Sequence, residues 1–312
     1  MKIGIAKEIA AGGKERRAIL LPAEVKKLIE AGNDVYTEKD LGKKIFISDD
    51  DYRAAGARML SNRRYVFNKE IVVKLKPPLL SEFRMMSGNF IFSMLHAEQN
   101  PQYIEAMRKQ DVKAIAMELI RNNAGERLIQ CSHMGGEQGM IMAFHMAQKI
   151  PSDCKVLVIG YGEIASGAIK VAYNLGANVK ILRKAEYKKI KHFIRNKDII
   201  VNGISWPKEK RIKKDYLITK KMLPILNKGA VILDLSVDFP NPIQTCHPTQ
   251  INKPLYEVDG IKHICIFGYP GLAPISSAKI YSKQVMPILL KLAACKKIEK
   301  FPKYIQRAMI IP

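Results

Sequence analysis

The segment between residues 155 and 182 constrains the fold more than any other part of the chain, because it reads as one complete strand–turn–helix–strand unit. The apolar run Lys155–Ile159 predicts a buried strand, and a glycine turn with the sequence GYGEIA follows it at residues 160–165. Residues 164–175 have the pattern of a helix that a glycine ends, and Val179–Leu182 predicts the next strand. Such a βαβ unit belongs to a parallel sheet covered by helices.

The glycine turn has the spacing of a dinucleotide-binding loop. Gly160 permits the tight turn, Gly162 lets the backbone approach a pyrophosphate, and Ala165 takes the third position, where a small residue allows close packing of helix on strand. Glu163 and Ile164 begin the helix, whose positive N-terminus attracts phosphate. The alternative is a similar turn in a doubly wound domain that binds no dinucleotide.

Two cations follow the second strand of this unit. Domains that bind NAD usually place an Asp or Glu about 20 residues after the turn, where it accepts the ribose 2′-hydroxyl. Here the residues are Arg183 and Lys184, which attract a 2′-phosphate, and an arginine can bind it through two parallel hydrogen bonds. The sequence therefore predicts NADPH rather than NADH as the cofactor, with two solvated surface cations as the alternative.

The rest of the chain continues the alternation of strands and helices, and its length of 312 residues is typical of two domains or one large one. Further strands are predicted at residues 2–6, 33–38, 71–75, 89–95, 112–117, 198–201, 230–235 and 263–267, and the main further helices at 23–31, 134–148 and 282–294. This alternation predicts an α/β fold with a parallel sheet.

The charge is unusual, because 52 lysines and arginines stand against 29 acids and give a net charge of +23. Such an excess is compatible with a nucleic-acid surface, a membrane surface, an anionic ligand or a solvated lysine-rich face. No helix-turn-helix, zinc-finger or RNP pattern occurs, and no apolar run approaches the roughly 18 residues of a membrane helix. We therefore expect neither nucleic acid nor a membrane as partner. Residues 183–221 hold 14 cations and 4 acids, so part of the excess begins at the ribose position and fits an anionic cofactor.

The chain has five cysteines, at positions 131, 154, 246, 265 and 295, and no C-x-x-C pair. An odd count without that spacing argues against a zinc knuckle or a disulfide framework, so we expect no metal site and reduced thiols in the cytoplasm. The N-terminal residues reach Lys7 and Glu8 without the apolar stretch of a signal peptide.

A series of short motifs, in a fixed order, resembles the alanine dehydrogenase/transhydrogenase N-terminal superfamily over nearly the whole chain. The motifs are MKIGIAKE at residues 1–8, ERR at 15–17, DYRAAGA at 51–57, VKLKPP at 73–78, LH at 95–96, DLSVD at 234–238, HPT at 247–249, YEVDG at 256–260, HIC at 263–265 and YPG at 269–271. The resemblance implies two Rossmann-like doubly wound domains with a cleft between them, and a homo-oligomer.

The resemblance also implies roles for the substrate-binding residues. Arg17, five residues before Pro22, matches the arginine that binds the substrate carboxylate, although the neighbouring Arg16 is an alternative. Lys76 matches the lysine that holds the oxo acid, and His96 matches the catalytic acid–base. From the residues alone, His96 could be an ordinary strand-end histidine and Lys76 a surface lysine. These residue types suit the chemistry, since an arginine fork pairs with a carboxylate and His transfers protons near neutral pH.

The same resemblance assigns the nucleotide side of the site. Asp238 matches the aspartate opposite the histidine across the nicotinamide, or it merely caps a turn before Pro240. Arg183 takes the place of the aspartate that binds the ribose. The remaining residues implied to contact the cofactor are Ser132, Ile204, Ser205 and Leu235. Residues 1–133 and 273–312 are implied to form the substrate domain, and residues 134–272 the NAD(P)-binding domain.

Several departures from alanine dehydrogenase resemble a shorter branch, the N(5)-(carboxyethyl)ornithine synthases. The chain is some tens of residues shorter, Arg-Lys replaces the ribose acid, and the segment GLAPIS at residues 271–276 has no basic residue. The implied reaction condenses a 2-oxo acid such as pyruvate with the amine of an amino acid and reduces the imine with NADPH. Reductive amination of pyruvate with ammonia, as in alanine dehydrogenase, and a lysine-forming saccharopine dehydrogenase-like activity are the alternatives. Glu98, Glu118 and Glu137 are candidates to bind a cationic amine.

Overall fold

The computed structural model describes residues 1–9, 14–295 and 298–311, and the chain forms two compact units. Unit 1 comprises Met1–Gln130 and Pro274–Pro312, and unit 2 comprises Cys131–Ala273. Within the described ranges the strands are β1 (Lys2–Ile5), β2 (Asp34–Glu38), β3 (Arg58–Leu60), β4 (Ile71–Val73), β5 (Phe90–Ser93), β6 (Lys113–Ala116), β7 (Lys155–Ile159), β8 (Asn178–Leu182), β9 (Ile199–Asn202), β10 (Val231–Asp234), β11 (Leu255–Val258), β12 (Ile261–Ile264) and β13 (Met309–Ile310). The α-helices of the same ranges are α1 (Pro22–Glu30), α2 (Asp49–Ala54), α3 (Arg63–Phe67), α4 (Leu80–Phe83), α5 (Gln102–Lys109), α6 (Ser132–Ala147), α7 (Glu163–Asn174), α8 (Ile190–Ile194), α9 (Lys208–Ile212), α10 (Pro274–Ala294) and α11 (Lys303–Gln306).

Unit 1 is built on a sheet with the strand order β13-β6-β5-β4-β1-β2-β3. All neighbouring strands are parallel except β13, which pairs antiparallel with β6. The ends of β1, β4, β5 and β6 therefore lie at one edge of the sheet, side by side, and in open α/β sheets this carboxyl edge is the ligand-binding edge.

Unit 2 has a second sheet with the strand order β11-β12-β10-β9-β7-β8. The strands from β12 to β8 are parallel, and β11 closes the edge as an antiparallel partner of β12. Apolar side chains of β7, β9 and β10 alternate between two buried clusters, one on each face of the sheet. The predicted α/β class with two Rossmann-like domains is confirmed.

Helices α6 and α7 of unit 2 pack closely because glycines remove side chains from their contact. A Cβ atom on Gly136 would lie 1.9 Å from the carbonyl oxygen of Ile164, and one on Gly167 would lie 1.9 Å from that of His133. The backbones therefore approach as closely as glycine allows. The contact fixes α7, whose first turn follows the glycine loop.

The structure corrects two predicted elements. Helix α10 begins at Pro274, eight residues before the predicted start, and it belongs to unit 1, where Ser282 Oγ accepts a 2.8 Å hydrogen bond from the backbone N–H of Leu21. The first turn of this helix contains the polar residues Ser276 and Ser277, so the apolar pattern did not indicate where the helix begins. The strand predicted at 263–267 is β12 at Ile261–Ile264, because the turn at Asp259-Gly260 joins it to β11 as a hairpin. In the described part of the chain, no helix is long and apolar enough to cross a membrane.

Candidate active site

Three polar side chains of unit 1 follow adjacent parallel strands. Lys76 comes after β4, His96 after β5 and Glu118 after β6. Because these strands are neighbours in the sheet, their ends bring the three residues to the same edge.

Arg17 is the buried member of the arginine pair. Its side chain is 4% exposed, whereas Arg16 lies at the surface. The carboxylate of Glu15 accepts hydrogen bonds from Nε and Nη2 of Arg17, both at 2.7 Å, and the guanidinium carbon lies 5.6 Å from the ring centroid of Tyr281. The bidentate pair fixes the orientation of the Arg17 guanidinium.

Lys76 has a pKa below its ordinary value. Burial, which disfavours the ammonium form, is the main cause, and the positive charge of Arg17 acts in the same direction. The acids Glu15 and Glu8 partly oppose this lowering. Lys76 therefore lies among charged residues of the segment that follows β1.

A chain of buried charges supports the strand end that carries Lys76. Glu8, 4% exposed, accepts hydrogen bonds from the backbone N–H groups of Leu75 at 2.6 Å and Lys76 at 3.4 Å. Its other oxygen, Oε2, is buried without a hydrogen-bond partner among the described residues and lies 3.8 Å from Nζ of Lys74. Burial raises the pKa of Glu8 to about 7. Lys74 in turn donates a 2.8 Å hydrogen bond to Glu82, which also pairs with Arg63.

The backbone of His96 has a fixed and unusual conformation. Its φ of 48° places it in the left-handed region, which a residue other than glycine adopts only when its surroundings impose it. The carboxylate of Glu118 accepts the N–H groups of Leu95 at 3.0 Å and His96 at 2.6 Å, and one of its oxygens lies 4.0 Å from Nδ1 of His96. Burial is the main cause that lowers the pKa of His96, and the negative charge of Glu118 opposes this lowering. The positive charges of Arg127 and Lys76 lower the pKa further. The neutral imidazole is thereby favoured at pH 7.

In unit 2 the glycine turn leaves open space at one position. A Cβ atom on Gly162 would have no atom within 4 Å, and this residue caps the 12-residue helix α7. At Gly160, with φ of 88°, a Cβ would lie 2.5 Å from Ile204, and on Gly203 it would lie 2.6 Å from Cβ of buried Ala165. The space at the helix N-terminus, with the positive helix end behind it, suits the phosphates of a dinucleotide.

The other residues predicted to contact a cofactor also belong to unit 2. Glu163 is exposed and Ile164 partly buried in the first turn of α7, and Ser132 begins α6. Ser205 is exposed, and Leu235, buried, follows β10.

Arg183 and Lys184 are both exposed just after β8. The guanidinium carbon of Arg183 lies 5.9 Å from the ring centroid of Tyr161, a residue of the glycine turn. The backbone N–H of Arg183 donates to the Glu186 carboxylate at 2.9 Å, which also contacts Lys180 at 3.4 Å. Arg183 therefore lies beside the turn, where the 2′-position of a dinucleotide ribose binds in this fold.

Asp238 belongs to the loop that follows β10. Its carboxylate accepts the N–H of Trp206 at 2.7 Å and lies 3.5 Å from Nη1 of Arg211. The loop begins at Asp234, whose fully buried carboxylate accepts hydrogen bonds from Val237 N–H and the Asn241 amide, among others. Burial raises the pKa of Asp234, and these donors oppose the rise.

Sequence reasoning named the arginine, the lysine and the histidine as candidates but assigned no orienting role to the acids that contact them. Glu8 and Glu15 occur in the motifs MKIGIAKE and ERR, but the sequence indicated no role for either. Asp234 begins the motif DLSVD, but the sequence analysis assigned it no role. An acid at the end of an apolar strand, next to small polar residues, could have indicated a buried hydrogen-bond acceptor. Across residues 1–9, 14–295 and 298–311, no group of three His, Cys, Asp or Glu side chains is arranged to hold a metal ion.

Two family models match the chain. Residues 4–136 match the alanine dehydrogenase/PNT N-terminal domain, and residues 182–310 match the alanine dehydrogenase/PNT C-terminal domain. An alanine dehydrogenase of Staphylococcus haemolyticus is 29% identical over 332 residues, which cover 94% of this chain and 87% of that protein. Among solved structures, an L-alanine dehydrogenase superposes with a TM-score of 0.86 at 24% identity, covering 99% of this chain and 94% of the other.

A transhydrogenase of Sinorhizobium meliloti has the same fold, with a TM-score of 0.81, 22% identity and 94% coverage of both chains. The two family matches together span most of the sequence and include the loops that carry Lys76, His96 and Asp238. The chain therefore belongs to the alanine dehydrogenase/transhydrogenase superfamily, a family of oxidoreductases that use a nicotinamide cofactor.

Proposed function

We propose that this protein is an NADPH-dependent oxidoreductase acting on CH–NH bonds, which condenses a 2-oxo acid such as pyruvate with the amine of an amino acid and reduces the product. The observation that carries the proposal is a cluster of side chains in unit 1: Lys76 and His96 follow adjacent strands of the sheet, and the charge of Arg17 acts on Lys76. A 2-oxo acid requires a partner for its carboxylate, a polarising group for its carbonyl and a proton carrier, and these residues supply one each.

The pKa shifts fit these roles. Arg17, oriented by Glu15, binds the substrate carboxylate, and Lys76 donates a hydrogen bond to the carbonyl oxygen. The lowered pKa of His96 provides a neutral imidazole that accepts a proton from the attacking amine. The imidazole passes this proton, and then a second one from the same nitrogen, to the carbonyl oxygen, which leaves as water.

The glycine turn of unit 2 supports the cofactor assignment. Gly160, Gly162 and the first turn of α7 would hold the pyrophosphate, with Ser132 beside them, while Ile204, Ser205 and Leu235 would line the nucleotide. When bound, NADPH supplies the hydride for reduction. Arg183 and Lys184 would bind the 2′-phosphate, since both are exposed and no acid takes the ribose position.

We infer a division of labour between the parts of the chain. Residues 1–133 and 273–312 would bind the substrate, and residues 134–272 would bind the cofactor. Asp238, anchored on Trp206 and Arg211, would provide a carboxylate on the nicotinamide side.

Reductive amination of pyruvate with ammonia is the second candidate, because curated relatives that match nearly the whole chain are named alanine dehydrogenase. The related saccharopine dehydrogenase-type reaction would use lysine and a dicarboxylic oxo acid. The three reactions share the same hydride and proton transfers and differ in the amine or the oxo acid.

The deciding experiment is an assay of NADPH oxidation by the purified protein with pyruvate and, separately, ornithine, lysine or ammonia. Turnover with ornithine or lysine, with a higher kcat/KM for NADPH than for NADH, is the expected result. Turnover with ammonia alone would establish the alanine dehydrogenase reaction instead. Absence of turnover with every pair would contradict both, and equal use of NADH would contradict the assignment of Arg183.

We also propose a cytoplasmic homo-oligomer. The five cysteines form no disulfide and four of them are buried, which fits a reducing compartment. Light scattering of the purified protein measures the assembly, and a monomer at micromolar concentration would contradict it.

A further inference from the structure

A short hairpin of unit 1 carries an arginine that the proposed reaction has not used. The backbone N–H of Leu128 donates to the carbonyl of Ile120 at 2.9 Å, and that of Asn122 donates to Glu126 at 2.9 Å. Arg127 lies on this hairpin and is partly buried. The paired backbone fixes the position from which the Arg127 side chain extends.

The guanidinium of Arg127 lacks a neutralising acid. Within the described residues, no carboxylate lies within 4.0 Å of it, its Nε is buried without a hydrogen-bond partner, and Nη2 has only the weak acceptor Sδ of Met94 at 4.0 Å. Glu118 is the acid whose charge acts most strongly on Arg127. Its carboxylate, however, accepts hydrogen bonds from the backbone N–H groups of Leu95 and His96. A partly buried cation without an anion is unfavourable, so the site is suited to an anion that arrives with a ligand.

Arg127 belongs to the same cluster as the proposed substrate-binding residues. Its positive charge acts on the imidazole of His96, and its own pKa is affected by Tyr281, whose ring lies 5.6 Å from the guanidinium carbon of Arg17. Pyruvate has a single carboxylate and a single carbonyl, which Arg17 and Lys76 already account for in the proposed reaction. A third cation beside the histidine therefore exceeds what a monocarboxylic oxo acid and ammonia require.

We propose that Arg127 binds a second carboxylate, one separated from the reacting carbon. This inference rests on the proposed function and deepens it, because it names the class of the second group. The carboxylate belongs either to the amino acid whose amine attacks the carbonyl or to the far end of a dicarboxylic 2-oxo acid. Ammonia has no such group.

The reaction balances in both cases. The amine nitrogen forms a bond to the carbonyl carbon, the carbonyl oxygen leaves as water, and a C=N bond results. A hydride from NADPH adds to that carbon and a proton adds to the nitrogen, while NADPH is oxidised to NADP⁺. Arg127 takes no part in the proton transfers and acts by holding the ligand.

Steady-state kinetics of Arg127→Met test the proposal with three substrate pairs: pyruvate with ornithine, 2-oxoglutarate with ammonia, and pyruvate with ammonia. Loss of a charge-assisted carboxylate contact should raise KM at least about tenfold for the substrate that has the second carboxylate. The KM for pyruvate with ammonia should change less than about twofold. The pair that responds identifies the source of the carboxylate, and Arg127→Lys should restore part of the affinity.

The control is Arg108→Met, which removes an exposed cation from α5 of the same unit and should leave all three pairs unchanged. An equal loss for every pair in Arg127→Met, or no loss in any, would overturn the proposal.

A binding experiment separates this proposal from the proposed function. Calorimetric titration of the protein with 2-oxoglutarate, ornithine and pyruvate, in the presence of NADP⁺, requires no turnover. Weaker binding of 2-oxoglutarate or ornithine to Arg127→Met, with pyruvate unaffected, would support the second site even in a protein without activity. Unchanged binding of all three ligands would refute the second site even if the enzyme is active.

Discussion

The two proposed ligand sites, one in each unit, are built from different groups. At the sheet edge of unit 1, the cations are side chains held by buried acids, as in the pairs Arg17–Glu15 and Lys74–Glu82. At the glycine turn of unit 2, the ligand space is formed by backbone and a helix end, and the cations Arg183 and Lys184 are exposed.

The difference follows from the size of the ligand groups. A small oxo acid offers one carboxylate and one carbonyl, so the groups that recognise it must be fixed in advance. A dinucleotide offers a long phosphate chain that backbone N–H groups can follow, and side chains are needed only for the 2′-phosphate. Substitutions in unit 1 should therefore affect chemistry and the pH dependence of stability, while those in unit 2 should affect cofactor affinity and choice.

The largest expected effect is that of His96→Ala. Removal of the proton carrier should lower kcat about a thousandfold, within the range of general acid–base catalysis, without unfolding the protein, because the ring is 37% exposed. The measurement is NADPH oxidation at saturating substrates, with circular dichroism as a check of folding. The control His192→Ala removes an exposed histidine of unit 2. Retention of activity in His96→Ala would exclude the assigned role.

Glu8→Gln should change how stability depends on pH. The folded protein raises the pKa of Glu8 from 4.5 to about 7, so ionisation of this group opposes folding. Its contribution to stability is full below about pH 4.5 and is lost as the pH rises to about 7, on the order of 3 kcal/mol. The glutamine keeps an acceptor for the N–H of Leu75 and has no proton to lose.

Thermal unfolding at pH 5.5 and 8 measures this effect. The fall in Tm between the two pH values should be smaller in Glu8→Gln than in the natural protein. The control Glu30→Gln, at an exposed position of α1, should leave the difference unchanged. A pH dependence that is identical in Glu8→Gln would show that Glu8 is ionised in the folded state at pH 5.5.

The two units also differ in how much of their structure could be predicted from the sequence. In unit 2, the order strand, glycine turn, helix and strand predicted β7, α7 and β8 to within a residue or two, because all the determinants are local. In unit 1, the residues that orient the site are distant along the chain. Glu118 accepts a hydrogen bond from the N–H of His96, although the two residues are 22 positions apart in the sequence. Glu8 accepts one from the N–H of Leu75, 67 positions away. Such pairings depend on strand order, which no local pattern encodes.

Arg183→Asp tests the choice of cofactor. The aspartate would repel a 2′-phosphate and accept the ribose hydroxyl of NADH, so the ratio of kcat/KM for NADPH over NADH should fall by about 10- to 100-fold. The control Lys191→Asp makes a similar charge change at another exposed position of unit 2 and should leave the ratio nearly unaltered. If both variants reduce the ratio equally, the preference arises from the general basic face of residues 183–221.

Gly162→Ala should have the smallest and most selective effect. The residue has φ of −68°, which alanine adopts without strain, and its Cβ would have no protein atom within 4 Å. The added methyl group therefore leaves the folded protein undisturbed and occupies space that a pyrophosphate needs, so the Kd for NADPH should rise about tenfold while Tm without cofactor stays the same. Fluorescence titration with NADPH measures Kd, and Ser152→Ala, at the amino end of β7, is the control. Unchanged affinity in Gly162→Ala would show that the phosphates do not bind against this turn, and the contrast between a backbone site and a side-chain site would then be lost.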